Sequence, residues 1–190
     1  NTAVGLEAMA FTTVGNNTAL GFRAGYQNTT GTNNVFIGRE SGIINGAGIQ
    51  NTFVGSLTGT LNTGNNNTFM GFHSGDGNTT GIENTFMGAG SGENNITGGL
   101  NNAFGFQSLF TNTNGSNNVA LGYWALRDID GAGSNDNTAV GVSAMRNATS
   151  GTLNTAVGRG AMRDGLNTGN ENTTVGSFSL RTNTSGYWNA

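Results

Sequence analysis

His73 is the single histidine of a 190-residue chain that contains no cysteine and no lysine. Any general base, nucleophile or soft metal ligand must therefore come from very few side chains. A histidine can serve as a base or a metal ligand because its imidazole titrates near neutral pH. At the place His73 occupies in the pattern described below, other copies carry Glu, Arg, Leu or Trp, which reads as a variable surface position. Glu7 and Glu40 stand at that same place, but the remaining copies have no carboxylate there and no acid ladder forms. Spacing alone pairs no two carboxylates for glycoside cleavage. The chain is thus expected not to be an enzyme and to carry no catalytic residue.

Binding chemistry has three candidates. The run Asp128-Ile129-Asp130-Gly131-Ala132-Gly133-Ser134-Asn135-Asp136 gathers oxygen donors of the kind Ca²⁺ takes, without the glutamate that closes an EF-hand loop. It reads equally as an extended turn, and no metal or cofactor is expected. Tyr123, Trp124, Tyr187 and Trp188 offer aromatic faces that stack on sugars, or that pack as bulky surface residues against neighbouring chain. A rank of threonines (Thr2, Thr18, Thr52, Thr68, Thr85, Thr138, Thr155, Thr173) suggests a flat hydroxyl array for ice. Val35, Asn102 and Val119 interrupt it, and it shares its face with apolar residues better suited to an interface.

All these residues are positioned by one repeated element. The motif Asn-x-[Ala/Phe/Thr]-apolar-Gly occurs eleven times, beginning at Asn1, Asn17, Asn34, Asn51, Asn67, Asn84, Asn101, Asn118, Asn137, Asn154 and Asn172. Its closing glycines are 16 to 19 residues apart, most often 17. A fixed period this short means one coil of a solenoid per copy. The expected fold is all-β: residues 1–190 form a single repeat domain, a parallel β-solenoid with one coil of about 17 residues per motif. With strands about 4.8 Å apart, eleven coils make a rod of roughly 50 Å.

Within a coil, β-branched residues favour a strand over the motif, and a second extended segment is expected after it, as at Phe22-Arg23-Ala24-Gly25 or Tyr123-Trp124-Ala125-Leu126. Linkers such as Asn28-Thr29-Thr30-Gly31 carry turn chemistry. Where the third motif residue is Phe (Phe36, Phe53, Phe69, Phe86), the residue six later is Gly (Gly42, Gly59, Gly75, Gly92). Where it is Ala (Ala3, Ala103, Ala120, Ala139, Ala156), the residue six later is Met or Leu, and Thr174 with Leu180 follows the same rule. Such compensation is what two side chains sharing one packed volume require, so the third position points inward. Ala19 with Gly25 breaks the rule, and Phe22 or Tyr26 is expected to fill the gap. The leading Asn shares the inward face, where stacked amides form a ladder or each starts a local turn.

Strand residues alternate, so the fourth position points outward. It is Val4, Leu20, Ile37, Val54, Met70, Met87, Phe104, Leu121, Val140, Val157 and Val175, apolar in every copy. An apolar stripe about 50 Å long is an aggregation hazard if left in solvent. These eleven residues are the expected oligomer interface.

Composition limits the partners. Only 9% of residues are charged and the net charge is -3. Seven arginines, read as scattered, form no basic patch for nucleic acid. No apolar run approaches the roughly 20 residues needed to span a bilayer, so no membrane contact by this segment is expected. No signal peptide is visible, and both ends fall within the repeat pattern, as expected of a piece of a longer array.

The pattern NTAVG-x-x-A-[L/M] with N-T-x-G linkers resembles the head repeats of YadA-like trimeric autotransporter adhesins. It also resembles the NTAVG repeats of phage tail fibres and bacterial surface fibres that end in a self-cleaving chaperone domain. The likeness covers essentially the whole chain, although the adhesin heads have a shorter period. It implies a left-handed β-roll wound as a homotrimer, extracellular on a cell surface or virion fibre, that presents or extends a receptor-binding surface. The receptor would be a host-cell surface or glycan. A self-assembling filament without its own receptor and an ice-binding solenoid are the alternatives.

Overall fold

The computed structural model describes residues 1–129, 133–164 and 168–189. Each motif forms one three-residue strand: β1 Thr2–Val4, β2 Thr18–Leu20, β3 Val35–Ile37, β4 Thr52–Val54, β5 Thr68–Met70, β6 Thr85–Met87, β7 Asn102–Phe104, β8 Val119–Leu121, β9 Thr138–Val140, β10 Thr155–Val157 and β11 Thr173–Val175. They make one parallel sheet in chain order, with like positions in register, for example Phe53 beside Phe36 and Phe69. The chain is a parallel β-solenoid, and no helix occurs among the described residues. Strand and flanking backbone both bond coil to coil, as in Thr52 N–H to Asn67 O at 2.9 Å and Gly71 N–H to Val54 O at 2.9 Å.

The expected second extended segment is instead a stack of tight turns. In coil eight, Ala125 N–H bonds back to Gly122 O at 3.2 Å, while Trp124 (φ 58°) and Leu126 (φ 48°) take the left-handed conformation. The same two positions are left-handed in every coil, whether glycine or not. Such non-glycine backbone costs on the order of 1–3 kcal/mol per residue. It persists because each turn is fixed by bonds to adjacent coils, such as Leu126 N–H to Ala144 O at 3.0 Å. The glycine that closes each motif answers a different demand. A Cβ on Gly71 would lie 2.6 Å from Gly88 O in the next coil, and equivalent clashes face the other motif glycines up to Gly158.

The core follows the compensation rule. Phe36, Phe53, Phe69 and Phe86 are fully buried and stack along the axis, the last three with centroids 4.9 and 5.0 Å apart and rings within 8° of parallel. Opposite them a Cβ on Gly59 would sit 2.8 Å from the Phe53 ring. In the remaining coils Leu109, Leu126, Met145 and Met162 fill the space beside alanine. The irregular Ala19–Gly25 coil is not filled by Phe22 or Tyr26, which lie at the surface. The Phe36 ring from the next coil takes the room, 2.6 Å from where a Gly25 Cβ would be, with Met9 on the other side.

This packing gives a quantitative expectation. Phe53→Ala is expected to cost about 3–5 kcal/mol through the cavity it leaves. Gly59→Leu is expected to cost about 1–3 kcal/mol through overpacking, and about 1–2 more because Leu must adopt φ near 56°. The double variant recreates the Ala-with-Leu coil and should regain the packing losses while keeping the conformational one. Chemical denaturation of all three variants tests this, and simple additivity would show that the two side chains do not compete for space.

Two amide ladders line the inner edge. In the first, each leading Asn accepts the backbone N–H of the next one, as Asn84 N–H to Asn67 Oδ1 at 2.9 Å. Its Nδ2 donates to a carbonyl in the following linker, as Asn67 to Gly81 O at 2.9 Å. Asn17, Asn34, Asn51, Asn67, Asn84, Asn101, Asn118, Asn137, Asn154 and Asn172 are all buried. The ladder reading therefore holds over the local-turn reading. A second ladder runs through the linker residues Asn28, Asn45, Asn62, Asn78, Asn95 and Asn112, as Asn45 Nδ2 to Asn28 Oδ1 at 2.7 Å. It stops where Ile129 and then Ala148 take the same place, both fully buried.

Candidate assembly face

The outer face of the sheet carries the fourth-position stripe. None of its eleven residues is buried: Val4, Leu20, Met70, Phe104, Leu121 and Val175 are exposed, and Ile37, Val54, Met87, Val140 and Val157 are half-buried by their coil neighbours. The other outward strand position is mostly Thr, and neither position holds a charge in any copy. Around the glycine corner the apolar surface widens. Leu6, Phe22, Phe72, Phe106, Tyr123 and Val142, each two residues beyond the stripe, are exposed. Sequence reasoning missed this flank because Arg39, Ser56 and Arg159 interrupt that column.

The residues weighed for other chemistry are held in local contacts. His73 is half-buried rather than freely exposed. Its Nδ1 lies 2.9 Å from Asp76 Oδ2 and its ring meets Phe72 edge-on at 4.2 Å. A cavity of about 200 Å³ beside it is lined by Phe72, His73, Ala89, Gly90, Glu93 and Phe106 among others. Partial burial pushes the Glu93 carboxyl up from its ordinary range, and the His73 charge opposes that. Glu7 pairs with Arg23 and Glu40 with Arg39.

Of the 128–136 run, Asp130, Gly131 and Ala132 lie outside the described residues. Asp128 is engaged by Arg127 at 3.2 Å and Arg146 at 3.6 Å, and Asn135 Oδ1 accepts the Ser116 N–H at 2.8 Å. Among the described residues no three His, Cys, Asp or Glu side chains gather as metal ligands. The aromatic candidates pack on neighbouring coils: Tyr123 stacks on Phe106 at 5.3 Å, and Trp124 Nε1 donates to Gln107 Oε1 at 3.0 Å. Tyr187 and Trp188 are exposed, and Trp188 Nε1 donates to Glu171.

The chain is a parallel β-solenoid whose sheet face is uncharged and apolar at the fourth motif position in every coil. No family model, curated protein or solved structure matches the chain.

Proposed function

We propose that this chain is a structural and adhesive segment of an extracellular fibre made of three copies wound in parallel, a bacterial surface adhesin or a tail fibre. The observation that carries the reading is the outward stripe, apolar in all eleven coils and left in solvent by the single chain. A coil with room for only one core layer uses it for the third-position residues, so the fourth-position residues need another surface. Burying each is worth roughly 1.5–3 kcal/mol. A closed threefold arrangement lets identical stripes bury one another about an axis and leaves none exposed. The resemblance to YadA-like heads and NTAVG fibres supports three as the number, and an extracellular setting with it.

The test is the solution mass of the unaltered protein by analytical ultracentrifugation or native mass spectrometry. The expected value is three times 19.4 kDa. A monodisperse monomer would overturn the fibre reading. A different closed number would keep the interface and discard the trimer, and assemblies of unlimited length would favour the filament alternative.

A further inference from the structure

The arginines are not scattered in space. Five of the seven, Arg127, Arg146, Arg159, Arg163 and Arg181, fall in the last four coils. Four of them occupy one column, the position after the inward Leu126, Met145, Met162 and Leu180. Coil-to-coil backbone bonds hold the column in register, with Asp128 N–H to Arg146 O and Asp164 N–H to Arg181 O both at 2.8 Å. Their points of attachment are therefore repeated about every 4.8 Å, four deep. Since the preceding residue packs across the core from the sheet, this ladder runs on the side of the rod away from the stripe.

Stacking like charges at that spacing is unfavourable unless countercharges intervene. Two do: Asp128 lies between Arg127 and Arg146, and Asp164 between Arg163 and Arg181. Four ladder cations against two anions leave the column with two uncompensated charges, on a chain whose net charge is -3. Asp136 and Glu171 belong to these coils but stand at the corner just before the strands, and Asp130 lies outside the described residues. The guanidiniums are laid on aromatic faces, Arg146 and Arg127 over Trp124 at 4.4 and 5.2 Å, and Arg159, Arg163 and Arg181 over Phe178 at 5.4 to 5.9 Å. That support holds the forks in place while all four ladder side chains keep a quarter to a half of their surface in solvent.

We propose that this edge binds an anionic polysaccharide, its carboxylate or sulfate groups taken by the arginine ladder. A fixed fork suits such planar or tetrahedral oxyanions. Charge density separates this ligand from nucleic acid. Duplex DNA carries one charge per about 1.7 Å of axis, whereas one row of cations about 4.8 Å apart matches a polymer charged about once per sugar. Asn147 and Thr182 in the adjoining column add an amide and a hydroxyl suited to sugar hydroxyls. The inference extends the adhesive half of the function proposed above and rests on it for the ligand being a surface polymer. It does not rest on threefold assembly, because one chain holds the whole ladder.

The experiment measures binding of the full chain to dextran sulfate, alginate and uncharged dextran at low salt, with duplex DNA as competitor. Both charged polysaccharides are expected to bind, dextran is not, and binding should fall steeply from about 50 to 200 mM salt. Arg163→Gln with Arg181→Gln should weaken binding about tenfold or more, while Lys at both sites retains most of it. Asp164→Asn frees two arginines and should strengthen binding about two- to fivefold, the worth of one surface ion pair. A merely structural carboxylate would give the opposite result, lower melting temperature with unchanged or weaker binding, and that would overturn the proposal. So would equal retention on dextran and dextran sulfate, or tighter binding to duplex DNA. Solution mass of the Arg163→Gln/Arg181→Gln variant should equal that of the unaltered chain. A chain that proves monomeric yet binds would refute the fibre and leave the ladder standing.

Discussion

With Val54, Met70 and Met87 all replaced by aspartate, the protein is expected to sediment as a single chain while keeping its β-type far-ultraviolet spectrum. The three positions are consecutive in the outward column and contribute nothing to the inner core. A carboxylate there is well solvated in the free chain, so each coil can still close. In an assembly three carboxylates per chain would meet their symmetry mates in a dry interface. Burying an unpaired carboxylate is so unfavourable that the group neutralises or the contact is lost. Adjacent aspartates also repel one another within the chain, so a Val54→Thr, Met70→Thr, Met87→Thr variant separates the effects. It keeps strand preference and adds no charge, and should weaken assembly by less. Glu40→Gln, whose partner is Arg39, should leave the mass unchanged. Full assembly of the aspartate variant would mean that copies meet elsewhere.

Replacing Asn67 by alanine is expected to cost about 2–6 kcal/mol, about 1–3 for the buried Asn84 N–H left without a partner and about 0.5–1.5 for each of the two side-chain bonds lost to Gly81 and Asn62. The Asn84 N–H loses the acceptor it has among the described residues, and the Gly81 carbonyl loses one of its donors. Asn78→Ala, in the second ladder, should cost far less, about 1–2 kcal/mol. It strands no backbone N–H, and Gly81 O keeps the bond from Asn67. The chain itself makes this substitution, with Ile129 and Ala148 in the second ladder, whereas the first ladder is Asn in all eleven coils. Denaturant midpoints of the two variants measure the difference. Equal losses would show that the backbone bond to Oδ1 is not what holds the first ladder.

The alternation of inward and outward residues was legible because a strand has period two and each copy repeats the experiment. Eleven aligned motifs turn single residues into columns, so the Phe53–Gly59 type of trade could be read before any coordinates. The turns after each glycine were not legible. Trp124, Leu126 and Met145 sit in left-handed backbone, yet none is a residue that favours it, so local preference suggested a strand. There the bonds between coils override the preference of the residue. The arginine column was within reach of the same alignment but was lost when arginines were judged by composition instead of by place in the repeat. The widened apolar flank at Phe72, Phe106 and Tyr123 was hidden for a simpler reason. Its column mixes apolar residues with Arg39 and Ser56, and only the folded chain shows which members stay exposed.

Because the coil-to-coil joints are nearly identical, with Asn on Asn, Gly on Gly and strand on strand in register, the length of this rod is a free variable. Excising residues 67–83 would set Phe86 on Phe53 and Asn84 on Asn51, the same neighbours each already has in kind. Duplicating them would do the same in reverse. Unequal recombination within such a tract therefore yields folded proteins whose reach changes in increments of about 4.8 Å. Selection on how far the rod extends can act without re-solving the packing problem each time.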